Sequence, residues 1–295
     1  MLDQSHGICD YEGTSYRARF WDGQGREYED LAERIALRKL LPARGRRIIE
    51  IGAGFGRLVD LYAGYDQVIL LDYAKSGLRE AQGRLGRSER YIYIAADLYH
   101  LPLAPRVCDT AVTVRVLHHV ADVPAALRGI AEILRPGGAY VLEYANKRNL
   151  KAIVRHALRR QDWSPFAPEP YEFARLNFDF HPTWMAQALQ GAGFTVDAGR
   201  AVSHFRHPAL KRLIPARVLA GVDGSIQRVG AAWKLTPSIF LRTHVSGAEP
   251  AAEQGLFRCP SCGSLDLMRA TEGLCCRGCG RTWPIDDGIY DFKDL

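Results

Sequence analysis

The stretch that decides the fold is Ile48-Ile-Glu50-Ile-Gly52-Ala-Gly54-Phe-Gly56-Arg-Leu-Val59. An apolar strand ends in an acid, glycines then alternate, and a helical pattern begins. Glycines let the backbone turn sharply and let a ligand come close. A dinucleotide-binding loop needs G-x-G-x-x-G, whereas here the third glycine comes one residue early and Arg57 stands in its place. Taken alone, the loop could also be a tight turn that binds nothing.

Two further apolar strands also end in acids. Residues 68–72 end at Asp72, and residues 91–97 end at Asp97, which Leu98 follows. A carboxylate at the end of the second strand can accept hydrogen bonds from both ribose hydroxyls. Asp97 could receive the exocyclic amine of an adenine with Leu98 packed near the ring, or it could simply cap a turn. The three acids together predict a ligand with a ribose and an adenine but no pyrophosphate.

Strands and helices alternate along the first half of the chain. The predicted strands are 47–51, 67–72, 90–95, 110–116 and 139–144, and the predicted helices are 25–41, 56–63, 76–85 and 123–134. This alternation is typical of an α/β fold in which helices cover both faces of an open parallel sheet. Ligands bind to such sheets beyond the carboxyl ends of the strands, where the three acids are expected.

The chain resembles the Rossmann-like S-adenosylmethionine-dependent methyltransferases, especially the branch with quinone-biosynthesis enzymes. The motifs that carry this resemblance are Glu50-Ile-Gly-Ala-Gly-Phe-Gly56, Asp72, Ala96-Asp-Leu98 with Leu101-Pro102, Val116-Leu-His-His-Val120 and Leu134-Arg-Pro-Gly-Gly138. The resemblance implies a seven-stranded Rossmann-like sheet whose last strand is antiparallel, with the final strands near 194–197 and 238–243.

The resemblance also implies a set of cofactor contacts. The residues expected to line the methionine and ribose part of S-adenosylmethionine are Glu50, Gly52, Gly54 and Gly56. Asp72 would hold the ribose hydroxyls, and Asp97 and Leu98 would hold the adenine. The intact loop and acids favour an active methyltransferase over a protein that binds the cofactor without transferring methyl groups.

Candidate catalytic groups follow the fourth and fifth strands and a later polar and aromatic cluster. They are His119, Glu143, Asn146 and His181. A general base is needed only if the acceptor arrives protonated, so His119 could equally have a structural or cofactor-side role, and His181 could cap the helix that begins at Pro182. Arg115 interrupts an apolar strand, which indicates an arginine at a strand end that pairs with a carboxylate.

Two basic stretches lie outside the glycine-loop region. Residues 147–160 form a basic amphipathic helix, and a second stretch runs from His204 to Arg217. Both could be solvated helix faces, or they could bind RNA phosphates or an anionic lipid surface. Residues of about 147–181, which include the first basic stretch, are expected to form an inserted cap. Its aromatic residues could stack on a base, cover an apolar substrate or form the core of the cap.

Five of the seven cysteines follow residue 258. Cys259 and Cys262 form one C-x₂-C pair, and Cys276 and Cys279 form another. Two such pairs offer four thiolates to a tetrahedral Zn²⁺, and a unit of this size needs a metal because its core is small. With all four positions filled, the zinc would be structural, and Cys275 is a spare.

The cysteine-rich tail resembles a small zinc ribbon that, as a separate subunit, activates several RNA and release-factor methyltransferases. The side chains from residue 250 onward sum to −2, while the whole chain is +6, so residues 1–249 carry +8. We expect the ribbon to dock on the methyltransferase domain, guided by this charge difference, away from the glycine loop and over an apolar face.

These features predict an N-terminal helical cap (1–45), a methyltransferase domain (46–246), a linker (247–255) and the ribbon (256–295). Two kinds of methyl acceptor remain possible. The ribbon and the basic helix favour an RNA or a translation factor, whereas the resemblance of residues 45–145 favours a small or lipid-like molecule.

Composition limits the remaining classes. The 295 residues are 47% hydrophobic and 24% charged, which excludes a disordered, collagen-like or disulfide-framework protein. No apolar run is long enough to cross a membrane. The first residues have neither a basic start nor an apolar run, so they do not predict a signal peptide, and we expect a cytoplasmic location.

Overall fold

The computed structural model describes residues 10–14, 21, 24–247 and 255–293. The first residues, Cys9 and most of the expected linker therefore lie outside the described residues. The helices are α1 Glu27–Leu40, α2 Lys75–Leu85, α3 Val123–Ile133, α4 Leu150–Ala157, α5 Pro182–Gly191, α6 Pro208–Leu213 and α7 Ala216–Trp233, with 3₁₀ turns at Val59–Tyr62 and Leu117–His119. No helix in these ranges is both long and apolar enough to cross a bilayer.

The strands are β1 Gly45–Ile51, β2 Tyr65–Asp72, β3 Tyr91–Ala95, β4 Cys108–Thr113, β5 Leu134–Ala145, β6 Tyr171–Ala174, β7 Asn177–Asp179, β8 Phe194–Val202, β9 Ser238–Val245, β10 Leu267–Ala270, β11 Gly273–Cys276, β12 Thr282–Asp286 and β13 Ile289–Asp291. Seven of them form the order β3-β2-β1-β4-β5-β9-β8. β1 to β5 pair in parallel, and β9 runs antiparallel to both of its neighbours. The expected seven-stranded α/β sheet is confirmed.

Two apolar clusters form the core, one on each face of the sheet. Side chains of α1, α2 and α7 pack on one face, and those of α3 and α5 pack on the other. Each helix supplies an apolar stripe, as α3 does with Val123, Ala126, Leu127 and Ile130. The carboxyl ends of β1 to β5 are thereby held at one edge.

Two predicted elements differ from the observed ones for backbone reasons. The helix expected at 56–63 is only a 3₁₀ turn at Val59–Tyr62, since the glycine loop continues through Gly56, whose φ is +70°. The strand expected at 110–116 ends at Thr113, because Arg115 takes a φ of +61°, which breaks strand geometry.

The cysteine-rich unit extends the main sheet. β13 pairs in parallel with β3 in the register Ile289↔Tyr93 and Asp291↔Ala95, so the sheet continues β10-β11-β12-β13-β3. Ion pairs join Lys75 to Asp291 and Arg79 to Asp286, each at 2.7 Å. The ribbon therefore docks on the domain with the expected charge complementarity.

The docking site is the edge of the sheet, not only a face of it. The carboxyl end of β3 lies there, and Lys293 Nζ stands 4.9 Å from the centre of the Tyr73 ring, which lines the cavity described below. The strand pairing and ion pairs of the ribbon go to β3 and α2, away from the glycine loop at 52–56, as expected. None of the ribbon's described residues, 255–293, lines that cavity.

The inserted segment contains α4 and the β6–β7 hairpin. Lys147, counted with the basic helix, precedes α4 and is buried. Its Nζ donates to the carbonyls of Ala167 (3.0 Å) and Glu169 (2.7 Å). Lys147 therefore holds the loop before β6 in place, and its charge is not available to a bound RNA or lipid.

Candidate functional site

A cavity surrounds the glycine loop at the carboxyl edge of the sheet. Its walls come from the ends of β1 to β4 and the start of α2. A Cβ on Gly52 would stand 2.2 Å from Val116 Cγ2, so that wall admits only glycine. Gly54, with a φ of +51°, has nothing within 4 Å of the position its Cβ would take. The loop therefore leaves an open cradle in which a ligand can lie against the backbone.

Glu50 is a buried acid in this cavity. Its Oε2 has no hydrogen-bond partner among the described residues. Burial raises the pKa of Glu50 to about 8, against the opposing influence of Arg57. The group is therefore protonated in the free protein near pH 7, and it ionises when a cationic partner arrives. The ammonium group of a methionine moiety is a suitable partner, so the site fits S-adenosylmethionine at this position.

The strand-end acids Asp72 and Asp97 both line the cavity. Asp72 Oδ2 accepts the Gly54 N–H at 2.7 Å, and its Oδ1 accepts the Ala74 N–H at 2.9 Å. These bonds orient the carboxylate and leave lone pairs for ribose hydroxyls. Burial raises the pKa of Asp72, although both amides oppose the shift. Asp97 accepts the Tyr99 N–H at 3.0 Å and contacts His100 Nδ1 at 2.9 Å.

An N-terminal segment covers the cavity. Tyr11, Thr14 and Trp21 all line it. The Glu12 carboxylate accepts the backbone N–H groups of Lys75 (2.6 Å) and Ser76 (3.1 Å), which lie in the first turn of α2. Unpaired N–H groups at a helix start favour such an acid. Residues 10–14 are thereby held against the start of α2, which lies next to the glycine loop.

His119 stands between this roof and the inserted hairpin. Its Nδ1 lies 2.9 Å from the Leu176 carbonyl oxygen, which can only accept, so Nδ1 carries the proton. Its Nε2 is therefore unprotonated, and its lone pair accepts a hydrogen bond from the Tyr11 hydroxyl at 3.1 Å. Burial lowers the pKa of His119, so the ring is neutral near pH 7. The imidazole that lines the cavity is therefore uncharged, with its proton on Nδ1.

Arg115 pairs with a carboxylate just beyond β4, as expected. Its guanidinium bonds to Glu33, a fully buried acid that also contacts Arg57 at 2.9 Å. These two cations lower the pKa of Glu33 despite its burial. The ring of Trp21 lies over both guanidiniums, 4.0 Å from Arg57 and 5.1 Å from Arg115. The network fixes α1 and the roof against the end of β4.

The other candidate catalytic residues lie outside the described lining of the cavity. Asn146 Nδ2 donates to the carbonyls of Lys234 and Thr236, both at 2.7 Å, which ties β5 to the segment before β9. Glu143 accepts the Arg115 N–H at 3.0 Å and the Ser238 hydroxyl. His181 caps α5 by accepting the Thr183 N–H at 3.2 Å. Each already holds the backbone in place.

The four paired cysteines form a compact cluster in the ribbon. All four Sγ atoms lie within 4.8 Å of one another, with Cys259–Cys279 at 3.8 Å and Cys262–Cys276 at 3.5 Å. Zn–S bonds of about 2.3 Å in a tetrahedron place the sulfurs about 3.8 Å apart. The set therefore fits a tetrahedral metal ion, and Cys275 is not part of it.

The sequence did not predict that an N-terminal segment covers the cavity, nor which residues position His119. Tyr11 and Trp21 belong to a short segment without periodicity, and Leu176 contributes only a backbone carbonyl. The concentration of aromatic residues before α1 was the one available signal.

Comparison with known proteins agrees with this geometry. Residues 49–142 match the family model described as "Methyltransferase domain". An O-methyltransferase, cnsE, of Penicillium expansum is 28% identical over 150 residues, 48% of this chain and 54% of that protein. A ubiquinone biosynthesis O-methyltransferase of Paracidovorax citrulli is 27% identical over 199 residues, 63% of this chain and 80% of that protein. The chain thus spans about half the length of the first of these relatives.

The fold also has solved counterparts. One belongs to a complex between the Haloferax volcanii Trm112 methyltransferase activator and a methyltransferase, with a TM-score of 0.54, 16% identity, and coverage of 79% of this chain and 98% of that one. At this identity the likeness concerns the fold alone.

Proposed function

We propose that this chain, whose residues 49–142 are an S-adenosylmethionine-dependent methyltransferase domain, methylates a hydroxyl oxygen of a small acceptor, with His119 as the general base. The observation that carries the proposal is the orientation of His119, whose unprotonated Nε2 points to the Tyr11 hydroxyl inside the cavity. S-adenosylmethionine supplies an electrophilic methyl group, and the chain supplies position and a proton acceptor.

The base has a clear role in this chemistry. A hydroxyl becomes a better nucleophile as its proton leaves, and a neutral imidazole is suited to take that proton. The Leu176 carbonyl accepts a hydrogen bond from Nδ1–H. Nε2 is therefore the atom that takes the proton of the acceptor hydroxyl. An acceptor hydroxyl that replaces the Tyr11 hydroxyl would meet this lone pair. The Nδ1–H···O bond would also stabilise the imidazolium that forms.

The partly covered site favours a small acceptor over RNA or a translation factor. The cavity is covered by Tyr11 and Trp21, and the Glu12 carboxylate holds this segment on α2. The names of the relatives given above, two O-methyltransferases, support oxygen as the atom methylated. The buried Lys147 also weakens the basic stretch as an RNA platform.

The cysteine cluster is proposed as a structural Zn²⁺ site held by Cys259, Cys262, Cys276 and Cys279. Four thiolates fill the tetrahedron and leave no position for a reacting molecule. The ion would hold the ribbon in the shape that presents β13 to β3. It has no part in the transfer itself.

The proposal is tested with tritium-labelled S-adenosylmethionine and an extract of cells that lack the protein, separated afterwards into small-molecule, RNA and protein fractions. We expect label in the small-molecule fraction. His119→Asn should lower the rate by about 10²–10⁴-fold, the usual contribution of a general base, while S-adenosylhomocysteine binds as tightly as before. His244→Asn is the matched control, since His244 lies on β9 and outside the described lining.

Label in RNA or protein would contradict the small acceptor. Tight cofactor binding with no transfer to any fraction would indicate a binding protein without methyltransferase activity. A normal rate in His119→Asn would remove the base from the mechanism but leave the activity in place.

A further inference from the structure

One face of α7 is apolar and exposed. The exposed large apolar side chains on this helix are Val218, Val222, Ile226, Val229 and Trp233. At 100° per residue they fall within an arc of roughly 80°, so they form a continuous stripe. Val229 is 64% exposed and Trp233 is 66% exposed. A stripe of this kind on a monomer indicates a surface that meets another apolar phase.

A second exposed stripe lies on α4. It consists of Leu150 and Val154 and continues into the C-cap residue Leu158, at the helical spacing of four residues. The two helices meet at their ends, since the Leu150 N–H donates to the Leu235 carbonyl at 2.8 Å and Arg148 Nη2 donates to the Trp233 carbonyl at 2.7 Å. We refer to the exposed apolar residues of α4 and α7 as the apolar surface.

The two segments that carry the apolar surface contain many cations and almost no acids. Residues 147–160 contain six Lys and Arg and no Asp or Glu. Residues 204–234 contain six Lys and Arg and a single acid, the buried Asp223. Exposed cations flank the stripes, among them Lys151, Arg155, Arg159 and Arg228. The flanks therefore carry positive charge with no exposed acid to neutralise it within these segments.

We propose that α4 and α7 dock the protein on an anionic lipid bilayer. Exposed Leu, Val and Trp residues beside Lys and Arg are what interfacial helices present to a membrane, where apolar side chains enter the interface and cations meet lipid phosphates. RNA would use the cations but would leave the stripes in water. A second copy of the chain would bury the stripes but would oppose cation to cation. The apolar surface contributes nothing to the described cavity lining, so docking is independent of the proposed methyl transfer.

The test uses the full chain with vesicles of phosphatidylcholine, alone or with phosphatidylglycerol. Binding should be strong only to the anionic vesicles, measured by co-sedimentation at physiological salt. Each Lys or Arg near an anionic surface contributes about fivefold in affinity, so Arg155→Ala with Arg159→Ala should weaken binding roughly 25-fold. Val229→Ser with Trp233→Ser removes apolar contact and should weaken it by about tenfold or more.

Matched controls carry the same substitutions elsewhere. Val196→Ser alters an exposed apolar residue on β8. Arg46→Ala with Arg269→Ala alters exposed cations outside the segments 147–160 and 204–234. These variants should bind the vesicles as the parent does, and all variants should keep its melting temperature.

Three results would overturn the docking proposal. One is equal affinity for neutral and anionic vesicles. Another is tRNA binding that depends on Arg155 and Arg159 in a protein that ignores vesicles. The third is a dimer that Trp233→Ser dissociates, found by sedimentation velocity without vesicle binding.

Discussion

The substitution Phe292→Ala tests whether the ribbon is part of the main sheet. Phe292 is 1% exposed, and its ring packs against Phe257 and Trp283 at centroid distances of 5.6 Å and 5.3 Å. Its backbone N–H donates to the Ala95 carbonyl at 2.8 Å, at the end of β3. The residue thus lies where the ribbon, β3 and the apolar cluster of the domain meet.

The expected loss follows from this burial. Removing a buried Phe side chain costs about 3–5 kcal/mol. Unfolding entropy of about 2.1 cal/mol/K per residue gives roughly 600 cal/mol/K for 295 residues. The melting temperature of the whole chain should therefore fall by about 5–8 °C. The assay is differential scanning calorimetry, with Met268→Ala, an exposed ribbon residue, as a control that should shift the transition by less than about 1 °C.

The reasoning is refuted if Phe292→Ala leaves the main transition in place and only releases metal. That result would mean that the ribbon folds as a separate module. If the two units form one sheet, both should melt together at the lower temperature.

Three further predictions concern the metal, the base and the cofactor site. Elemental analysis should find one zinc per chain, lost in Cys276→Ser and retained in Cys275→Ser; zinc retained in Cys276→Ser would contradict the four-thiolate site. Because burial lowers the pKa of His119 from its ordinary 6.5, kcat/KM should fall at acid pH with a midpoint below 6.5, where the imidazole becomes protonated; a midpoint above 6.5 would argue against this base. Since the pKa of Glu50 is raised to about 8, the free protein holds a proton there at pH 7, and S-adenosylmethionine binding should release this proton. Calorimetry in buffers of different ionisation enthalpy measures the release, and Glu50→Gln should abolish it.

The sheet was predictable because its signals are local. Apolar strands that end in Glu50, Asp72 and Asp97 place three acids at one edge once the strands are parallel, and all three line the cavity. The cysteine spacing likewise predicted which four sulfurs come together. In each case residues close in sequence decide the outcome.

What could not be predicted depends on backbone conformation and distant contacts. The left-handed Arg115 ends β4 early, and neither periodicity nor composition reports a φ angle. Lys147 looked like a surface cation, yet two carbonyls some twenty residues later bury it. The tautomer of His119 is set by the Leu176 carbonyl, a group that every residue type provides. That β13 adds to the edge of β3 follows from pairing between segments almost two hundred residues apart.

Cofactor binding tests the central claim most directly. S-adenosylhomocysteine should bind the purified chain by calorimetry, Asp72→Ala and Gly54→Leu should abolish that binding, and Asp66→Ala, at the exposed start of the same strand, should leave it unchanged. NAD should not bind. Preferential binding of NAD, or undiminished binding of S-adenosylhomocysteine by Asp72→Ala, would contradict the assignment of this cavity.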